Sequence, residues 1–212
     1  MALVPQSDLS PATWLTTDAR PWHEQVTFGP GGLPAYARLR FIPDPAYAGQ
    51  SETDADTDTD TDEDGPSETD QLRTVLETLA RYTTTPGDCY YCLWEGWGTD
   101  IWGDHRIAPA FPPAVLNGPR VELPHRSYFL FRGPLTDFAQ WGAADMWPGQ
   151  PRFGMPDPAF MWPADHAWCI ARDVDPHWAG IGAPTTAIAE LIADPRIDVV
   201  PADPAQPQPA YG

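Results

Sequence analysis

Twenty-seven prolines, scattered from Pro5 to Pro209, most constrain what this chain can build. Proline fixes φ and removes a backbone donor, so each one bends or ends a regular element. Seventeen glycines add turns, and together they imply short elements joined by many loops. Against that fragmentation stands a large apolar content. Ten Trp, eight Phe and seven Tyr lie among 212 residues, enough to bury a core. The length suits one domain, or at most two small ones.

Periodicity places the elements. Residues 35–42 alternate, with Ala35, Ala37, Leu39 and Phe41 on one side and Tyr36, Arg38 and Arg40 on the other, which predicts a half-buried strand. Leu72, Val75, Leu76, Leu79 and Tyr82 form one stripe and predict a helix over 69–82. The ring-rich residues 89–96 predict a central strand, and 121–132 and 167–171 predict two more. Residues 134–161 read as a long aromatic loop packed over the sheet. Thr185–Ala193 reads as a second helix and 197–200 as a last short strand. The whole stretch 162–194 then reads as a buried strand, a turn and a helix. This order implies an α+β fold: a mainly antiparallel sheet with two helices packed on one face and long aromatic loops. A ferredoxin-like arrangement with an inserted loop is one topology that fits. Residues 1–200 are expected to form a single domain, with 201–212 a disordered tail.

Charge narrows the partners. Thirty acids face twelve bases, all of them Arg, for a net charge of −18. Residues 49–70 hold ten of the acids and no base, and the remainder is still acidic. Such a field repels phosphate backbones and anionic lipid, so neither nucleic acid nor membrane is expected as a partner, and a basic protein is. Three Cys cannot all pair with one another, and neither a leader-like N-terminus nor an apolar run of membrane length is present. A cytoplasmic protein with reduced thiols is the expectation.

The low-complexity segment reads as a disordered acidic linker at 49–68, because nothing larger than Ala is there to offset its ordering entropy. Asp60, Asp62, Asp64 and Gly65 match the first half of a calcium loop. The second half fails, with Pro66 after the glycine and Gln71 where a bidentate Glu is needed.

Two blocks carry a resemblance. Leu93-Trp94-Glu95-Gly96 with the later Tyr128-Phe129-Leu130-Phe131, and Trp162-Pro163-Ala164-Asp165 running into Ala167-Trp168, resemble uncharacterised small cytosolic proteins of high-GC Gram-positive bacteria. The similarity spans roughly residues 88–200, and those proteins often carry a basic residue where His166 stands. No activity attaches to that set, so the resemblance implies no site.

Several constellations could carry chemistry. Cys89-x-x-Cys92 with His166-x-x-Cys169 supplies four ligand types suited to tetrahedral zinc. However, residues three apart on a strand point to opposite faces, and the thiols read rather as small core residues. Cys169 with His177 and Asp175 could form a nucleophilic site, although Trp168 and Ile170 flank the thiol in a buried run. Asp173 with Asp175, or Glu95 with Asp104, could act as paired carboxylates, and Asp173 to Pro176 reads as a turn. Glu95 sits in an aromatic strand where a charge needs a partner, for which Arg126 or Arg132 serves. Trp97, Trp102, Trp141 and Trp147 are candidate binding residues, since Trp dominates interface hot spots, with core packing as the alternative.

The expected function is a non-enzymatic protein-binding or accessory module, immunity-like, without a cofactor. The alternative is a hydrolase or metal-assisted enzyme with catalytic candidates Glu95, Asp165, His166 and His177, joined by His125. Scatter of the histidines would favour a binder, and convergence on one pocket an enzyme.

Overall fold

The structure is a computed structural model that describes residues 2–53, 65–152, 154–174 and 176–212. Most of the acidic linker, the calcium half-loop acids Asp60, Asp62 and Asp64, and Asp175 lie outside the described residues. Nine strands among the described residues form one sheet: β1 (Val4–Pro5), β2 (Ala35–Arg40), β3 (Cys89–Trp94), β4 (Val121–Leu123), β5 (Arg126–Gly133), β6 (Phe160–Pro163), β7 (Cys169–Ala171), β8 (Trp178–Ala183) and β9 (Val199–Pro201). Their order is β1-β5-β3-β6-β7-β8-β2-β9, with β4 also paired to β5, and every one of these pairings is antiparallel. The helices include α1 (Thr13–Thr16), α2 (Trp22–Phe28), α3 (Glu68–Leu79), α4 (Thr99–Trp102), α5 (Pro113–Leu116) and α6 (Thr185–Ala193). The α+β class and the large antiparallel sheet follow from the sequence; a ferredoxin-like order does not match this nine-strand path.

Alternation sorts the sheet into two buried faces. Cys89, Tyr91 and Leu93 of β3 and Phe129 and Phe131 of β5 share one apolar cluster, while Tyr90, Cys92, Tyr128 and Leu130 join the other. Leu72, Val75, Leu76 and Leu79 of α3 and Ala187, Ile188 and Leu191 of α6 pack into the first cluster. Phe111, Phe138 and Trp141 join them from the long loops. Leu15 of α1 and Val26 of α2 pack into the second. Helices therefore cover both faces: α3 and α6, joined by Ile101 of α4 and by Val115 and Leu116 of α5, lie on the first, and α1 and α2 on the second. Serine capping starts α3: Ser67 Oγ accepts from the Asp70 amide at 3.2 Å, and Glu68 and Asp70 place charge at the positive end of the helix.

Three segments differ from the reading by periodicity. The expected single strand over 121–132 is the hairpin β4–β5, turned at Pro124 and His125, where His125 has φ 65°. β6 begins at Phe160 inside the segment read as irregular, runs on to Pro163, and sits in mid-sheet beside β3. β8 occupies what read as a turn. The terminal segment expected as a disordered tail makes specific contacts. The Ala202 amide donates to the Tyr36 carbonyl at 3.0 Å, the Tyr211 hydroxyl to Pro43 O at 2.7 Å, and the Gly212 amide to Gln50 O at 2.9 Å. Among the described residues no helix is long and apolar enough to cross a membrane.

Candidate functional site

The antiparallel registers bring five chain segments together at one end of the sheet. Trp94 at the end of β3 pairs with Tyr128, Cys92 with Phe160, Phe160 with Ala171, and Ala171 with Gly180. Beyond these ends a cleft of about 130 Å³ opens. Trp94, Trp97 and Tyr128 supply ring surface, and Glu52, Glu68, Asp157 and Asp173 supply carboxylates. Arg172 and His177 complete its polar lining.

Each charge has a definable environment. Asp157 is only 9% exposed; its oxygens accept from Thr69 Oγ1 at 3.1 and 3.0 Å and from Arg172 Nη1 at 3.4 Å. Burial lifts its carboxyl above the usual range, with Arg172 and the Thr69 hydroxyl opposing. Arg172 also pairs with Glu68 and lies over the Phe41 ring at 5.2 Å. Arg126 donates to Asp173 at 3.2 and 3.4 Å while its guanidinium lies 5.1 Å from the Trp94 ring. His177 Nε2 lies 3.1 Å from Asp44 Oδ1, and its ring meets Tyr211 at 4.8 Å. Asp44 also receives Arg38 at 2.6 and 2.9 Å and Arg40 at 3.1 Å. Burial alone would raise the Asp44 carboxyl, but hydrogen bonds from Arg38 and His177 outweigh it and hold the group well below its ordinary value.

Of the four catalytic candidates, only His177 borders this cleft. Glu95 pairs with Arg120 at 3.0 Å rather than with Arg126 or Arg132, and Arg120 in turn stacks 3.7 Å from the Phe129 ring centre. Arg132 is taken by Asp88 at 2.6 and 2.7 Å. Asp165 accepts from the Thr83 hydroxyl at 2.8 Å and from the Thr84 amide and hydroxyl at 2.7 and 2.8 Å, so it clamps the loop after α3. Burial works against the Asp165 charge, yet these donors hold its carboxyl below the ordinary value. His166 stacks on Trp14 at 4.1 Å with rings nearly parallel, and burial lowers its pKa. His125 and His23 both meet Trp22, and His105 lies exposed beside Asp104. Apart from His23 and His125, which share Trp22, the histidines scatter.

The zinc set does not assemble. Cys89 faces one side of the sheet and Cys92 and Cys169 the other, and His166 is engaged by Trp14. All three thiols are buried and free. Burial pushes the Cys89 thiol up to about 12 and raises the thiols of Cys92 and Cys169 as well, which suits packing rather than nucleophilic attack. Among the described residues, no three His, Cys, Asp or Glu side chains group as a metal site.

The tryptophans divide. Trp141 is core: buried, edge-on to Phe131 at 4.9 Å, with its indole donating to Pro156 O at 2.9 Å. Trp97 is half-buried at the cleft, edge-on to Trp94 at 5.7 Å. Trp102 and Trp147 are 41% and 46% exposed on the loop layer. Asp157, Arg172, Glu52 and Glu68 are the cleft residues that sequence reading missed; an acid between Pro156 and Pro158 was the one local signal. No family model, curated protein or solved structure matches the chain.

Proposed function

We propose that the protein is a non-enzymatic binding module, accessory or immunity-like in kind, that docks a basic protein partner. The scatter of the histidines carries this reading: Glu95, Asp165 and His166 are each engaged elsewhere, and of the catalytic candidates only His177 reaches the cleft. Net charge −18 supports a cationic partner, and exposed Trp102 and Trp147 offer contact area at low entropic cost. Buried free thiols suit a reducing cytoplasm.

Affinity capture with the full chain tests it. Raising salt from about 0.1 M to about 1 M shortens the screening length from ~10 Å to ~3 Å. Basic proteins should be retained at the lower salt and released at the higher. Recovery of no salt-sensitive basic partner would count against the proposal. One observation favours hydrolysis as a second reading: the buried Asp157, its carboxyl lifted, borders the same cleft as His177. Turnover of an ester, phosphoester or peptide that is lost in both Asp157→Asn and His177→Ala would move the balance to that reading.

A further inference from the structure

We infer that the cleft is a socket for one arginine side chain of the partner, an inference that rests on the binding reading above. Size comes first. About 130 Å³ is close to the ~150 Å³ cavity that admits a benzene-sized guest and well short of the ~300–1,000 Å³ of metabolite pockets. One side chain fits; a nucleotide or a folded loop does not.

Charge comes second. Glu52, Glu68, Asp157 and Asp173 line the space against Arg172, and Arg126 reaches Asp173 from beside it. The surplus is negative, so a carboxylate or phosphate is repelled and a cation drawn in. Asp157 receives one hydroxyl proton from Thr69 and one long contact from Arg172, fewer than the roughly four acceptor sites of a carboxylate. It is nine-tenths buried, so unspent acceptor capacity there favours a donor that enters the cleft.

The choice of arginine comes from shape. Two guanidiniums beside the cleft sit between a carboxylate and a ring: Arg172 with Glu68 and Phe41, Arg126 with Asp173 and Trp94. A ring and a carboxylate not yet bridged by a guanidinium also line the cleft. Trp97 presents a half-buried ring, and Glu52 is exposed with no ion-pair partner among the described residues. A planar, weakly hydrated fork can stack on the ring and bond a carboxylate at once, whereas an ammonium is a strongly hydrated point charge.

The test titrates the full chain with three capped peptides that differ at one residue, carrying arginine, lysine or neutral citrulline, followed by ligand-observed NMR. The arginine peptide should bind at least about tenfold better than the lysine peptide, and citrulline should not bind. Trp97→Ala and the surface change Glu52→Gln should each weaken the arginine peptide about tenfold, with the thermal midpoint of Glu52→Gln unchanged. Trp22→Ala, away from the cleft, should leave the affinity as it is. Equal binding of arginine and lysine, no arginine binding, or indifference to both cleft variants would overturn the socket. A basic partner that the Glu52→Gln/Trp97→Ala double variant still captures overturns the socket and leaves the binding module standing. Arginine-selective binding with no partner captured supports the socket and removes the binding-module reading instead.

Discussion

Trp168 and Asp44 show how single residues set the stability of this fold. Trp168 is fully buried, and its indole donates to Leu79 O at 3.1 Å, tying the start of β7 to the end of α3. Trp168→Ala should lower stability by about 3–5 kcal/mol, read from urea unfolding, because both volume and a buried acceptor's partner are lost. His166→Ala, two residues earlier, removes only a stack on Trp14 from an exposed position and should cost far less. Equal losses would contradict the placement of both. Asp44 governs the acid limb. Its folded pKa lies below its ordinary value near 3.8, so its contribution is complete above that value and is lost as pH falls through the folded value. Asp165 acts with the same sign. Asp157, lifted by burial, acts oppositely: its contribution is complete below the ordinary value and is lost as pH rises through the folded one. Asp44→Asn should cost about 2–4 kcal/mol at neutral pH, because it leaves the Arg38 guanidinium short of charge; the residual 22% exposure of Asp44 keeps this below the full buried-pair figure. The variant should also lose less stability than the parent from about pH 4 down to about pH 2, the range below the ordinary carboxyl value. Acid profiles that run parallel would contradict the assignment.

Elements that bury one periodic face were legible; those whose form depends on a distant neighbour were not. The α3 stripe from Leu72 to Leu79 is local, and so are the alternation of β2 and β5 and the density of β-favouring rings in β3. β6 ends at Pro163 and is buried on both sides, so no alternation marks it. β8 contains Gly180 and Gly182, which weaken any strand signal. Its reason lies in α2: a Cβ on Gly180 would collide with the Thr27 carbonyl and stand 2.9 Å from Phe28. Gly180→Ala should therefore destabilise by about 1–3 kcal/mol or more in urea unfolding, against the usual small gain from removing a strand glycine. A neutral or stabilising result would contradict the α2–β8 contact. The candidate site suffered the same limit. That Glu95 needs an arginine was readable from its aromatic strand, but Arg120 as that arginine was not. Glu68 and Arg172 meet across 104 positions through the sheet register alone, so no local pattern announces the cleft.

At the scale of the whole molecule, acidity and architecture converge on one end of the sheet. The acid-rich segment 49–70 begins and ends near the cleft, with Glu52 and Glu68 both on its rim. Rings from β3 and β5, carboxylates from four separate segments and two internal guanidiniums meet there. The remaining conspicuous groups hold the fold: Asp165 clamps a loop, the thiols fill the two faces, and Trp141 fills the core. Where a cation binds is therefore decisive. Ten indole N–H protons report on ten sites in one NMR spectrum. On addition of the arginine peptide, the resonances of Trp94 and Trp97 should shift while those of Trp141, Trp162 and Trp168 stay fixed. Shifts confined to other tryptophans, or none at saturating peptide, would contradict it.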